Sequence, residues 1–153
     1  MSKRKKNIEE FFSNYEQNFN SALGGAEIEE HIKQSFASCF VESSPTGVVC
    51  GQNDKKFVEN IKKGLEMYRT IGTTGMSITS KDISIIDDLH ASAKIYWRYA
   101  YEKDGTPGFI DFHVVYLLNF VDGTPKIFGY ISGDEQRALK EHGLIEETAE
   151  MNR

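Results

Sequence analysis

Residues 91–132 read ASAKIYWRYAYEKDGTPGFIDFHVVYLLNFVDGTPKIFGYIS. The stretch predicts three consecutive β-strands joined by two hairpins. Ile95 to Tyr101 and Ile110 to Phe120 are rich in aromatic and β-branched residues, which suit a pleated, half-buried surface. Lys103-Asp104-Gly105-Thr106-Pro107-Gly108 punctuates them, and Asp122-Gly123-Thr124-Pro125 does the same before Lys126 to Ser132. A hairpin symmetric about the first of these runs sets Arg98 opposite His113 and Trp97 opposite Val114. Side chains alternate across a strand, so two faces follow. One carries Trp97, Tyr99, Tyr101, Ile110, Phe112, Val114, Tyr116, Leu118 and Phe120. The other carries Lys94, Tyr96, Arg98, Asp111, His113, Val115, Leu117 and Asn119. Each large apolar side chain buried on the first face is worth about 1.5–3 kcal/mol, so that face is the one expected to meet the core.

Working outward, the preceding chain reads as helical. Ile8, Phe11, Phe12, Tyr15, Phe19, Ala22 and Leu23 recur at helical spacing and predict a helix over 7–23, ended by Gly24-Gly25. A second helix is expected over 26–40, with Ile28, Ile32, Phe36 and Phe40 as its stripe. Residues 41–47 read as a loop and Val48 to Cys50 as a short strand. Asn53 or Asp54 caps a third helix over 55–71, facing inward through Phe57, Ile61, Leu65 and Tyr68. Met76 to Ile86 is a strand. Asp134 or Ser132 caps a short last helix over 135–141. Helices followed by a run of antiparallel strands predict an α+β domain with the helices on one face of the sheet.

The 153 residues fit one domain with a sizeable core. The expected organisation is a disordered basic tag at 1–6 (Lys3, Arg4, Lys5, Lys6), a single domain over 7–145 and a loose tail at 146–153. A net charge of −5 argues against a nucleic-acid partner. No apolar run reaches bilayer length and no secretory h-region opens the chain, so the expectation is a cytoplasmic protein without a membrane partner. Cys39 and Cys50 lack CxxC or framework spacing and are expected as buried or partly buried thiols. His31, His90, His113 and His142 are scattered, so no metal site is expected, and no phosphate-binding glycine motif calls for a cofactor.

Three strings carry a resemblance: Phe40 to Val48 (FVESSPTGV), Asp87 to Ala91 (DDLHA) and Ile127 to Gln136 (IFGYISGDEQ). With the order of elements, they resemble the nuclear transport factor 2-like superfamily of cystatin-like α+β cones, in an uncharacterised bacterial branch distantly related to ketosteroid isomerase and polyketide-cyclase-like proteins. The resemblance implies a curved antiparallel sheet wrapped around three N-terminal helices, with a pocket between its concave face and the first helix. It also implies a homodimer through the outer face of the sheet. In the ketosteroid-isomerase branch an aspartate just before the corresponding proline is the general base. Here Ser43 and Ser44 precede Pro45, and a serine hydroxyl does not replace a carboxylate as base unaided.

The candidate residues divide by face. Trp97, Tyr99 and Tyr116, with Tyr15 from the first helix and Glu42 from the loop, are the expected lining of a site for a small apolar or aromatic molecule. Arg98, Asp111 and His113 share the other face, either as an acid–base cluster or as an ion pair on an outer or dimer surface. The leading reading is a small-molecule-binding protein. The alternatives are a cofactor-independent lyase, isomerase or cyclase working by general acid–base chemistry, and a non-catalytic dimeric interaction module.

Overall fold

A computed structural model describes residues 2–120 and 122–145 of the chain. Four helices and six strands follow in the order α1 (Lys3–Leu23), α2 (Glu29–Ser35), β1 (Phe36–Ser44), β2 (Gly47–Gln52), α3 (Lys55–Thr70), β3 (Thr73–Ile85), β4 (His90–Lys103), β5 (Thr106–Asn119), β6 (Lys126–Ser132) and α4 (Glu135–Glu141). The strands form one curved sheet of order β2-β1-β6-β5-β4-β3, with the N-terminal helices on its inner face. The fold class is the α+β expected. All neighbouring strands are antiparallel except β1 and β6, which run parallel.

The central hairpin keeps its expected faces but not its expected partners. Trp97 lies opposite Phe112, Arg98 opposite Asp111 and Tyr96 opposite His113. The register is two residues from the symmetric reading because the turn is only Asp104-Gly105, with φ of 53° and 79°. Left-handed values at both central residues are those of the tight hairpin turn that Asp-Gly favours. A shift of two preserves parity, so the faces survive. Along β4 every second residue from Ala91 to Tyr99 is buried, as are Ile110, Val114, Tyr116, Leu118 and Phe120.

The second expected helix is cut short. α2 spans seven residues, and Phe36 and Phe40 belong to β1. Both are buried all the same, at 7% and 5% exposure. A spacing of four fits one face of a helix and one face of a strand alike, so periodicity could not choose between them. The expected loop at 41–47 is therefore the end of β1, a turn at Pro45-Thr46 and the start of β2. Gly51 faces the Phe40 ring so closely that an added Cβ would sit 2.6 Å from it.

Helix α1 starts at Lys3 rather than at residue 7, because the Ser2 hydroxyl accepts from Lys5 N–H (3.2 Å). The basic run at 3–6 is thus its first turn, and the Arg4 guanidinium donates to the Asp87 carbonyl. α3 is capped by Asp54, which accepts from Phe57 N–H at 3.0 Å, and α4 by Asp134, which accepts from Arg137 N–H at 3.0 Å. Helix α4 closes one end of the sheet through a second core cluster of Leu139, Tyr99 and Ile110. The expected tail at 146–153 lies outside the described residues. No helix among the described residues is long and apolar enough to cross a membrane. Cys39 and Cys50 are exposed rather than buried, because both stand on the outer face of the β1–β2 hairpin, which no helix covers.

Candidate functional site

Strands β4 and β5 place Trp97 and Tyr116 on the inner face, with the Ile95–Val114 row between theirs, and the fourth turn of α1 lays Tyr15 across them. The Tyr15 ring centroid is 6.1 Å from Trp97 and 6.1 Å from Tyr116, and Phe12 lies 4.9 Å from Tyr116. Trp97 Nε1–H donates to Tyr116 Oη at 3.3 Å, and the Tyr116 and Tyr15 hydroxyls are hydrogen-bonded to each other. The three polar tips thus satisfy one another inside an apolar layer. Tyr15 as a residue is only half-buried, but its oxygen is the enclosed end. Burial pushes the Tyr15 phenol up to about 12, and burial holds Tyr116 well above its ordinary value. Both are neutral hydrogen-bonding groups at neutral pH.

The other two candidates are placed apart from them. Tyr99 sits in the α4 cluster beside Tyr68 (5.7 Å) and shares a hydrogen bond with the Thr73 hydroxyl; burial raises its phenol. Glu42 lies within β1 rather than in a loop, half-buried on the inner face. It pairs with Tyr130, which pairs in turn with Tyr116, so Glu42, Tyr130 and Tyr116 form one cross-strand row. Sequence reasoning missed Tyr130. Phe128 is an extra residue against β5 and flips parity within β6, so that Ile127 and Tyr130 face inward although three apart. The only sequence signal was the Tyr130 ring itself.

On the outer face Arg98 grips Asp111 with two bonds, Nε to Oδ1 at 2.8 Å and Nη2 to Oδ2 at 2.9 Å, and its guanidinium stacks over Phe109 at 4.1 Å. The hydrogen bonds from Arg98 hold the Asp111 carboxyl below its usual range. His113 stands one row away against Tyr96 (5.8 Å). Arg98 and Asp111 are therefore a closed ion pair facing away from the helices, and His113 is not part of it.

Beyond the Tyr96–His113 row on the same face, two cross-strand rows run over four strands. Val48, Ser43, Ile131 and Val115 make one, and Cys50, Val41, Gly129 and Leu117 the other. Ser43 is their one polar side chain. Val41, Val48 and Ile131 are 43%, 67% and 50% exposed. Two open depressions lie elsewhere, one between the end of α1 and α3 (Ala26, Lys62, Arg69) and one beside β3 (Asn20, Gly75, Ala100). Among the described residues no group of three or more His, Cys, Asp or Glu side chains could hold a metal ion.

The family described as NTF2-like protein (DUF6841) matches residues 4–135. No curated protein matches the sequence. Among solved structures, the chain is similar to an NTF2-like protein with a cystatin-like fold from Novosphingobium aromaticivorans (9% identity, TM-score 0.66, covering 93% of this chain and 88% of that one). It is also similar to an NTF-2 like protein of unknown function from Shewanella oneidensis MR-1 (14% identity, TM-score 0.62, 86% and 99%). A third is a ketosteroid isomerase-like protein from Erwinia carotovora atroseptica (14% identity, TM-score 0.61, 87% and 97%). At these identities the likeness is one of fold, which serves many functions.

Proposed function

The chain belongs to the NTF2-like family (DUF6841), and from that premise we propose that it is a non-catalytic homodimeric module joined through the outer face of its sheet. The carrying observation is the apolar patch Val41, Val48, Cys50, Val115, Leu117 and Ile131, contiguous over four strands. A contiguous exposed apolar surface of this kind marks an interaction site. Its rim is polar and of mixed sign, and the Arg98–Asp111 pair can be covered without leaving either charge alone. A two-fold contact lays the patch on itself. Sedimentation equilibrium tests the reading. The wild-type chain is expected to be a dimer at micromolar concentration, and Ile131→Asp a folded species of lower mass. A wild-type monomer, or a dimer indifferent to Ile131→Asp, removes the reading.

A second reading has its own support in the Trp97–Tyr116–Tyr15 hydroxyl chain, beside the row that Glu42 enters. Polar-tipped rings in an apolar setting are the usual make-up of a small-molecule site. We infer that a small apolar or aromatic molecule binds between α1 and the inner face and enters past Tyr15, the half-buried member. Tyr99, in the separate α4 cluster, lies outside it. The acid–base alternative has less support, because neutral phenols with raised pKa values are poor bases and Ser43-Ser44 stands where a catalytic aspartate precedes proline. Trp97 is the sole tryptophan, so its emission reports occupancy. Titration with naphthol should shift it in the wild type and much less in Tyr116→Phe. Unchanged emission, with no small molecule released on denaturing the purified chain, ends this reading.

A further inference from the structure

The two edges of the sheet are finished differently. Along the first half of β3, outward backbone groups of Met76 and Ile78 are taken by side chains of α1. Met76 N–H donates to Asn20 Oδ1 (2.8 Å), Asn20 Nδ2 donates to Met76 O (2.7 Å), and Ile78 N–H donates to the Glu16 carboxylate. An extra residue at Thr79 and the charges of Lys81 and Asp82 blunt the same edge. These are the devices that keep an edge strand from pairing with another chain. Strand β2 has none of them. Gly47–Gln52 contains no charge and no proline, and its ladder with β1 is unbroken. Val48 and Val49, pointing to opposite faces, are 67% and 60% exposed.

The direction of the free groups is fixed by the ladder. Asn53 N–H donates to Ser38 O at 2.9 Å, and antiparallel bonding alternates. Gly47, Val49 and Gly51 therefore aim their N–H and C=O at β1, while Val48 and Cys50 aim theirs out of the sheet. We propose that this edge pairs with β2 of a second copy, antiparallel, about a two-fold axis through Val49. The segment Gly47-Val48-Val49-Cys50-Gly51 has the same size pattern in both directions. Such pairing sets Gly47 opposite Gly51, Val48 opposite Cys50 and Val49 opposite Val49. The Val48 and Cys50 pairs are those whose free N–H and C=O groups face each other, so the bonding parity agrees with the side-chain pattern. No like charges meet, because the strand has none. A single short strand buries less than the roughly 1,000 Å² of a stable interface, so this is a weak contact that appears with rising concentration. It uses Val49, which the outer-face patch does not, and stands without that reading.

Self-pairing at residue 49 makes a charge-swap test decisive. In an Ile131→Asp background, which removes the outer-face contact, sedimentation should still detect concentration-dependent dimer. Adding Val49→Lys places two ammonium groups opposite each other and should lower the association constant by at least about tenfold. Val49→Glu should do the same, and an equimolar mixture of the two should restore association. Covalent trapping gives a second readout. With Cys39→Ser and Val48→Cys, the thiol introduced at 48 lies opposite Cys50 of the second copy, at a Cα separation of about 5.5 Å, within disulfide range. Oxidation by diamide should then yield dimer linked 48 to 50. No association in the Ile131→Asp background, no recovery on mixing, or linkage through Cys50 alone overturns the proposal.

Discussion

At the scale of the residue, Trp97 shows how a buried polar atom constrains its neighbours. Its indole is 2% exposed and its one donor goes to Tyr116. Tyr116 then needs the Tyr15 hydroxyl, which comes from a different element. Truncation in this layer removes both packing and a hydrogen-bond partner. Trp97→Ala is expected to cost about 3–5 kcal/mol, read as a lower urea midpoint with an unchanged slope. An indifferent midpoint would mean that the inner and outer faces are exchanged. Trp97 and Tyr116 were legible as inward from alternation alone. That they bond to each other was not, because a bond depends on register, and the symmetric reading of the hairpin set Trp97 beside Val114 instead of Phe112.

At the scale of the element, the Asp104-Gly105 turn decides that register. Gly105 has φ of 79°, and an added Cβ would meet no atom within 4 Å. Any penalty for Gly105→Ala is therefore backbone strain and not a clash. It should destabilise by about 1–2 kcal/mol while leaving the circular dichroism spectrum of the sheet intact. No effect in equilibrium unfolding would show that the turn is looser than a two-residue hairpin. The punctuating run 103–108 was readable in sequence, but not which two of its six residues turn. Thr106, Pro107 and Gly108 look like loop and are the first residues of β5. Phe36 and Phe40 make the same point in β1. Their burial was legible and their secondary structure was not, because strand and helix both bring residues four apart to one side.

At the scale of the whole molecule, the enclosed phenols tie stability to alkaline pH. Tyr15 ionises in the folded chain at about 12 against 10.0 in an open one, and Tyr116 and Tyr99 also ionise above their ordinary value. Below pH 10 both states keep these protons and stability is flat in this respect. Above it the unfolded chain releases protons that the folded chain retains, so stability falls as pH rises, by up to about 1.4 kcal/mol per pH unit for each fully protected phenol. Urea midpoints should hold to about pH 10 and then drop, and phenolate absorbance of the native chain should lag behind that of Tyr15→Phe, Tyr116→Phe. Absence of a lag would mean that the hydroxyls are reached by water. The same scale separates the surfaces among the described residues: inner face packed by α1, outer face bare over four strands, one edge bonded in part by α1 and the other open. By itself the sequence determined the α+β class, the two faces of the central hairpin and most of the buried residues, because alternation and helical spacing are local properties that sum over each segment. Only the tertiary structure decided that β1 lies parallel to β6, that Glu42 and Tyr130 join the row of Tyr116, that Tyr99 belongs with α4, and that β2 is an edge no other described strand covers. Those facts depend on which distant strands lie side by side, and pairing across the chain is set by packing and register, which no local pattern encodes.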